Sequence, residues 1–265
     1  MSQAQADEIR KAVSENYAEI AKKGGGGCAP STSPSSCCGG EPSVSIRLGY
    51  GKKDVTSVPE GADLGLGCGN PQAIAALRPG ETVLDLGSGA GFDCFLAARQ
   101  VGEAGRVIGV DMTPEMLRKA RENARKGNFS NVEFRLGEIE HLPAADQSVD
   151  VILSNCVINL SPEKPAVYRE AFRVLKPGGR LAISDVVATA PMPEKILNDI
   201  ALRVGCVSGA STIGEIEEML EAAGFRQIHV ETKPESREVI REWAPGLGLE
   251  NFVASATIEA VKPGL

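Results

Sequence analysis

The apolar positions of this chain change their period twice. In residues 3–22, Ile9, Val13, Tyr17 and Ile20 recur at helical spacing with charges between them, which predicts an amphipathic helix. Residues 24–45 show no period. Gly24–Gly27 leads into CAPSTSPSSCCGG, a composition that predicts a flexible linker. From Glu81 onward, short apolar runs alternate with helix-period segments. Strands are expected over 82–86, 106–110, 132–136, 150–154, 180–185, 225–231 and 252–261. Helices are expected over 92–101, 113–126, 164–175, 193–204 and 212–223. Thr113 with Pro114 is a good helix start, because Thr can cap and Pro fits the first turn. KPGG after the third of these helices is a stop signal. Strand-helix alternation predicts an α/β fold: a doubly wound, mostly parallel, seven-stranded sheet with helices on both faces. The expected organisation is an N-terminal helix (1–23), the linker (24–45), a core (46–190) and a C-terminal part (191–265) that completes the sheet and carries substrate-binding residues.

Composition narrows the function. The chain has 265 residues and a formal net charge of −7. An acidic chain without basic runs is not expected to bind nucleic acid or an anionic membrane. No apolar stretch approaches a membrane span, and the polar N-terminus does not read as a secretory signal. A cytoplasmic location and a monomer are expected. Seven cysteines are present, at 28, 37, 38, 68, 94, 156 and 206, with only two histidines and no C-x-x-C pair. That pattern is neither a stapled secreted scaffold nor a zinc ribbon. In a reducing compartment such thiols are buried, metal-binding or reactive.

The sequence VLDLGSGAGFD sets Gly87, Gly89 and Gly91 between a strand and a helix. Glycines there allow a sharp turn and close approach of a ligand. Asp85 stands just before this loop. Asp111 ends the next strand, where a carboxylate can accept both hydroxyls of a ribose. Glu138 follows the third strand, where an adenine edge could be read. A dinucleotide would bring a pyrophosphate to the helix N-terminus. An acid before the loop is better suited to a cationic ligand end.

Together D-x-G-S-G-x-G, GVDMT and GEIEHLP resemble the class I S-adenosylmethionine-dependent methyltransferases over about 80–190. The resemblance implies S-adenosylmethionine as cofactor. It places Asp85, Gly87, Ser88, Gly89 and Gly91 at the methionine part, Asp111 and Met112 at the ribose, and Gly137, Glu138 and Ile139 beside the adenine. Asn155 is grouped with these donor-binding residues.

Neither His141, in a loop, nor His229, in a late strand, is an obvious base for the acceptor. Cys68 in LGLGCGNP, Cys156 in SNCVINL and Cys206 in RVGCVSGAS each adjoin loop-forming residues. A free cysteine is also often only a small buried hydrophobe, and Cys94, inside the first core helix, suits that reading best. LGLGCGNP, SNCVINL, GEIEHLP, ISDVV and REWAPG with FVASATIEAVKP resemble the arsenite methyltransferases from about Tyr50 to the C-terminus. The resemblance implies that Cys68, Cys156 and Cys206 hold trivalent arsenic. It also implies that an N-terminal cysteine, with Cys37, Cys38 and Cys28 as candidates, takes part in redox steps served by a thioredoxin- or glutathione-type thiol reductant. Arsenite and methylated trivalent arsenicals are then the expected substrates. Two alternatives remain: a small-molecule C-methyltransferase of the quinone-biosynthesis kind, and a metalloid-binding protein without turnover.

Overall fold

The computed structural model describes residues 2–23 and 44–264. The linker expected over 24–45, with Cys28, Cys37 and Cys38, lies outside the described residues except for Val44 and Ser45, which begin a helix.

The chain begins with helix α1 (Gln3–Lys23), followed by three short helices, α2 (Val44–Arg47), α3 (Lys52–Ser57) and α4 (Gln72–Ala75). The core then alternates β1 (Thr82–Leu86), α5 (Phe92–Val101), β2 (Arg106–Asp111), α6 (Pro114–Lys126), β3 (Val132–Leu136), β4 (Val149–Asn155), α7 (Lys164–Val174) and β5 (Leu175–Ala188). The C-terminal part adds α8 (Glu194–Leu197), α9 (Ile200–Val204), α10 (Ile213–Ala223), β6 (Arg226–Lys233), α11 (Ser236–Trp243) and β7 (Val253–Val261). Seven strands form one sheet in the order β3-β2-β1-β4-β5-β7-β6. β7 runs antiparallel to both neighbours, and the pairs from β3 to β5 are parallel. This is the expected doubly wound sheet. Its strand order reverses beside β1, so a crevice opens beyond the carboxyl ends of β1 and β4.

Both faces of the sheet are covered, and the side-chain period of two divides its residues between them. Leu84, Leu86, Ile108, Val110, Ile152, Leu181 and Ile183 pack with Val167, Tyr168 and Ala171 of α7 and Ile216 and Leu220 of α10. Val83, Val107, Val151, Leu153 and Ala182 pack with Cys94, Phe95 and Ala98 of α5 and Leu117 and Ala120 of α6. A third cluster lies over the crevice and joins Val13 of α1 to Cys68, Cys156, Leu160, Cys206, Val207 and Ile240.

Three local expectations change. The helix expected over 193–204 is two short helices, α8 and α9, with Asp199 capping the second through Ala201 N and Leu202 N. KPGG follows α7 but is extended, inside β5, so it does not form a helix cap. Thr113 makes no side-chain cap bond; its main-chain N–H instead donates to Asp111 Oδ1 at 2.8 Å. Thr212 does cap α10, in a reciprocal box with Glu215. No described helix is long and apolar enough to cross a membrane.

Candidate active site

β1 ends at Leu86, and the chain turns sharply through Gly87, Ser88 and Gly89. Gly87 has φ +65°, and a Cβ there would collide with the side chain of Val157. Gly91 has φ +94°, and its Cβ would fall 2.8 Å from Phe134 and Phe95. Gly91 therefore serves the packing of α5 against the sheet. Asp111 at the end of β2 holds the loop: its Oδ2 accepts from Gly89 N at 2.9 Å. Burial pushes the Asp111 carboxyl up, and the amides of Thr113 and Gly89 partly offset this.

A cleft opens beside this loop. Asp85, Gly87, Ser88, Gly89, Asp111, Met112, Gly137, Ile139, Asn155 and Cys156 line it. Gly91, Glu138, Cys68 and Cys206 are not among the lining residues. Glu138 is exposed and faces Arg10 Nε at 3.6 Å. The roof is α1, through Arg10, Val13 and Tyr17. Arg10 also meets Glu163 at 3.2 Å and the buried Glu140 at 3.5 Å, which ties α1 across the cleft.

The floor is acidic and buried. Asp85 and Asp93 both line the cleft and neither has an ion-pair partner among the described residues. Burial, then the charge of Asp93, pushes the Asp85 carboxyl well up. Burial also raises Asp93, against hydrogen bonds from Tyr50, Asn155 and Gln72. Tyr50 Oη donates to Asp93 at 2.7 Å. Two buried carboxyl groups with no cation, and the buried Ser88 Oγ with no hydrogen-bond partner among the described residues, suit a ligand that brings positive charge and polar atoms. The ammonium and sulfonium end of S-adenosylmethionine meets that requirement; a pyrophosphate does not.

Asn155 joins this floor to the first thiol. Its Oδ1 accepts from Cys68 N at 3.1 Å, and its Nδ2 donates to Gly69 O at 3.0 Å, Tyr50 Oη at 2.9 Å and Asp93 Oδ2 at 3.2 Å. A Cβ on Gly67 would fall 2.7 Å from this amide. The Cys68 segment thus lies flat on the ends of β4 and β5.

Cys68, Cys156 and Cys206 are buried, form no disulfide among the described residues and share one cluster. Cys206 Sγ donates to the Cys156 carbonyl at 2.9 Å, and the Cys156 thiol interacts with the thiols of both Cys206 and Cys68. Cys156 and Cys206 adopt φ of +59° and +65°. That left-handed conformation costs a non-glycine residue about 1–2 kcal/mol, and such strain collects at functional positions. At Cys156 the Cys206 hydrogen bond pulls the pKa down, but the Cys68 contact and burial outweigh it and the thiol is held well up. The contact with Cys156, then burial, raises Cys206. Cys156 and Cys206 thus stay protonated until a ligand displaces the protons. Cys94 lies apart, packed in the core, with its Sγ 3.1 Å from Asp85 Oδ2. Both histidines are exposed.

Sequence reasoning missed Tyr50, Asp93, Arg10 and Asp185. Asp93 looks like an ordinary acid in the first turn of a helix. Asp185 carried a signal, a charge inside the apolar run AISDVVA. It is buried, burial lifts its pKa to about 6, and the amides of Val186, Ile158 and Asn159 with the charge of Lys164 hold that rise down.

A family model described as a methyltransferase domain matches residues 77–224. The arsenite methyltransferase of Halobacterium salinarum is 56% identical over 263 residues, which cover 97% of this chain and 67% of that protein. The human arsenite methyltransferase is 42% identical over 152 residues, covering 54% of this chain and 40% of that protein. The chain thus spans about two thirds of the first relative and less than half of the second. A crystal structure of an arsenic(III) S-adenosylmethionine methyltransferase from Chlamydomonas reinhardtii superposes with a TM-score of 0.61 and 34% identity, covering 86% of this chain and 75% of that one. Acid-floored cleft, adjoining thiols and these likenesses agree: the chain belongs to the arsenite methyltransferases, within the S-adenosylmethionine-dependent methyltransferases.

Proposed function

We propose that this chain methylates trivalent arsenic, with Cys68, Cys156 and Cys206 as the arsenic ligands. The observation that carries the reading is the meeting of these three buried thiols at the edge of the acid-floored cleft, with Cys156 lining it. Trivalent arsenic is thiophilic, and thiolates are the soft ligands a protein can offer. Replacing three oxygens by three sulfurs returns the thiol protons to the departing oxygens as water. Arsenic on three sulfurs keeps its lone pair, so the acceptor needs no general base. That agrees with the exposure of both histidines.

S-adenosylmethionine supplies an electrophilic methyl group on a sulfonium centre. Asp85 and Asp93 would receive its cationic end, Asp111 its ribose hydroxyls, and Gly137 and Ile139 would flank its base. α1 roofs the cleft and limits the access of water. The protein's contribution is then proximity and alignment of two bound partners.

Methyl transfer raises arsenic to the pentavalent state. Return to the trivalent state takes two electrons, which two thiols supply by forming a disulfide. An external thiol reductant of the thioredoxin or glutathione type then reduces that disulfide. Cys37, Cys38 or Cys28 is assigned to this exchange. The chemistry needs reduced thiols, which agrees with a cytoplasmic location.

The test is incubation with arsenite, S-adenosylmethionine and a thiol reductant, followed by speciation of arsenic. Methylated arsenicals that require both the donor and Cys156 are expected. Donor binding with no methylated arsenic would overturn the reading in favour of the C-methyltransferase or the silent metalloid binder.

A further inference from the structure

Cys68 and Cys156 converge on a side chain that the arsenic chemistry does not use. Their Sγ atoms and one carboxylate oxygen of Asp185 lie within 4.8 Å of one another. All three residues are buried. Asp185 Oδ1 accepts from Asn159 Nδ2 at 2.9 Å and Val186 N at 2.8 Å, whereas among the described residues Oδ2 has one hydrogen bond of ordinary geometry, from Ile158 N at 3.0 Å. A carboxylate offers about four acceptor positions, so one remains on Oδ2. Cys206 is outside this trio; its Sγ donates to the Cys156 carbonyl at 2.9 Å, as Cys68 Sγ does to the Ser184 carbonyl at 3.6 Å.

We propose that Cys68, Cys156 and Asp185 form a binding site for a divalent thiophilic cation of the zinc or cadmium kind, overlapping the arsenic position and sharing two of its thiols. The site stands on this side-chain geometry. Only its competition with arsenite rests on the reading above.

The donor set separates the two ligands. Trivalent arsenic is satisfied by three sulfurs, and a carboxylate adds nothing that it needs. A divalent cation takes four donors and seeks negative charge. Zinc–sulfur bonds of about 2.3 Å put tetrahedral sulfurs about 3.8 Å apart, so the present spacing needs shifts of about 1 Å or less. Binding breaks two S–H bonds, forms two metal–sulfur bonds and releases two protons to solvent; no electron moves. Two thiolates and one carboxylate then leave one net negative charge around the cation. Lys164, whose Nζ bonds Ser211 Oγ at 2.7 Å and Gly209 O, acts on the charge of Asp185 from the protein side. The fourth position stays open to water, so an exchangeable inhibitor is expected, not a permanent structural metal.

The test uses the full chain with Cys28, Cys37 and Cys38 changed to Ser, reduced and stripped of metal. Cadmium is titrated and the sulfur-to-cadmium charge-transfer band is followed; arsenite binding is measured in parallel. One equivalent of cadmium is expected to bind and to be displaced by arsenite. Cys206→Ser should keep cadmium affinity within about threefold and lose arsenite affinity by about tenfold or more, whereas Asp185→Asn should do the reverse. Asp185 also pins the turn after Cys156, so melting and donor binding report whether Asp185→Asn folds. If it does not, Cys156→Ser against Cys206→Ser decides, because only the former should lose cadmium. No band at one equivalent, or equal cadmium losses in Cys156→Ser and Cys206→Ser, overturns the proposal. Cadmium bound by a chain that does not take arsenite would sink the arsenic reading and leave the cation site standing.

Discussion

The side-chain oxygen of Asn155 accepts the main-chain N–H of Cys68 at 3.1 Å, across 87 positions of sequence. One amide therefore fixes an arsenic-ligand candidate and, through Asp93 and Tyr50, the floor of the donor cleft. Asn155→Ala would leave the buried Asp93 short of a donor and free the Cys68 segment. Each buried group left unpaired costs about 1–3 kcal/mol. A chain of this size loses about 2–4 °C in Tm per kcal/mol, so a drop of several degrees is expected in a thermal melt. Arsenite affinity should fall as well. An unchanged melt with unchanged arsenite binding would show that Asn155 holds nothing in place.

Gly69 tests the same segment by size. A Cβ at Gly69 would collide with Ser184 Oγ, while it would lie 3.1 Å from Ser184 Cβ. Gly69→Ala should destabilise the fold and displace Cys68. Removing the hydroxyl with Ser184→Ala relieves most of the clash. The double-mutant cycle should therefore show positive coupling of about 1–2 kcal/mol. Additive losses by denaturant titration would mean that this contact does not position the segment.

The parallel part of the sheet was legible because β1, β2 and β4 are short apolar runs, ending at Leu86 before Gly87, at Asp111 and at Asn155, and because a parallel sheet buries both faces of its central strands. The strand limits at 82–86 and 132–136 coincide with the observed ones. The glycine-rich loop was legible because glycine, acid and strand end follow one another in sequence. The Asp93–Tyr50–Asn155 network was not, since its members come from three segments and each has an ordinary local role. The roof over the cleft was hidden for a related reason: the period of α1 shows that one face is buried but not what buries it. Asp185 shows the opposite case. A charge inside an apolar strand is expensive wherever it sits, so its position alone marked it, but its partners could not be read from the chain.

Asp111 supports the loop as well as the proposed ribose contact, so its removal should act twice. Asp111→Ala frees the amides of Gly89 and Thr113 and deletes the acceptor for the donor hydroxyls. Loss of a charge-assisted hydrogen bond costs about 1.5–3 kcal/mol, or roughly ten- to a hundredfold in affinity. Calorimetry with S-adenosylmethionine should show at least this weakening. Unchanged affinity would move the ribose elsewhere.

Lys164 makes stability depend on alkaline pH. Burial depresses its pKa to about 8, whereas an unfolded lysine titrates near 10.4. Between those values the unfolded chain binds the proton and the folded chain does not. Its own contribution to stability therefore rises with pH in this window. Cys94, Cys156 and Cys206, held protonated in the fold, oppose it from about pH 8.5, where unfolded thiols ionise. Tyr50 and Tyr168, held protonated mainly by burial, do so above about pH 10. The Lys164 share is read as a difference: between about pH 8 and 9.5, urea titrations should show the parent chain losing less stability than Lys164→Met, by about 1–2 kcal/mol. Equal slopes in the two would assign the pH dependence to the other groups alone.

Cys156 and Cys94 separate a proposed ligand from a core residue. Both thiols are buried and both have pKa values raised well above the ordinary range, so neither exposure nor acidity distinguishes them. Their surroundings do. Cys94 packs among Val83, Phe95 and Leu117, while Cys156 holds a left-handed backbone at the cleft with two further thiols beside it. Cys94→Ala should lower Tm through the lost packing, by about 1 kcal/mol of stability, and leave arsenite binding as it was. Cys156→Ser exchanges one atom and should cost little stability. It should remove arsenite binding, because a hydroxyl is a poor ligand for a soft centre. Each variant is read by a melt and an arsenite titration. Normal arsenite binding by Cys156→Ser would return all three thiols to the status of ordinary packing residues.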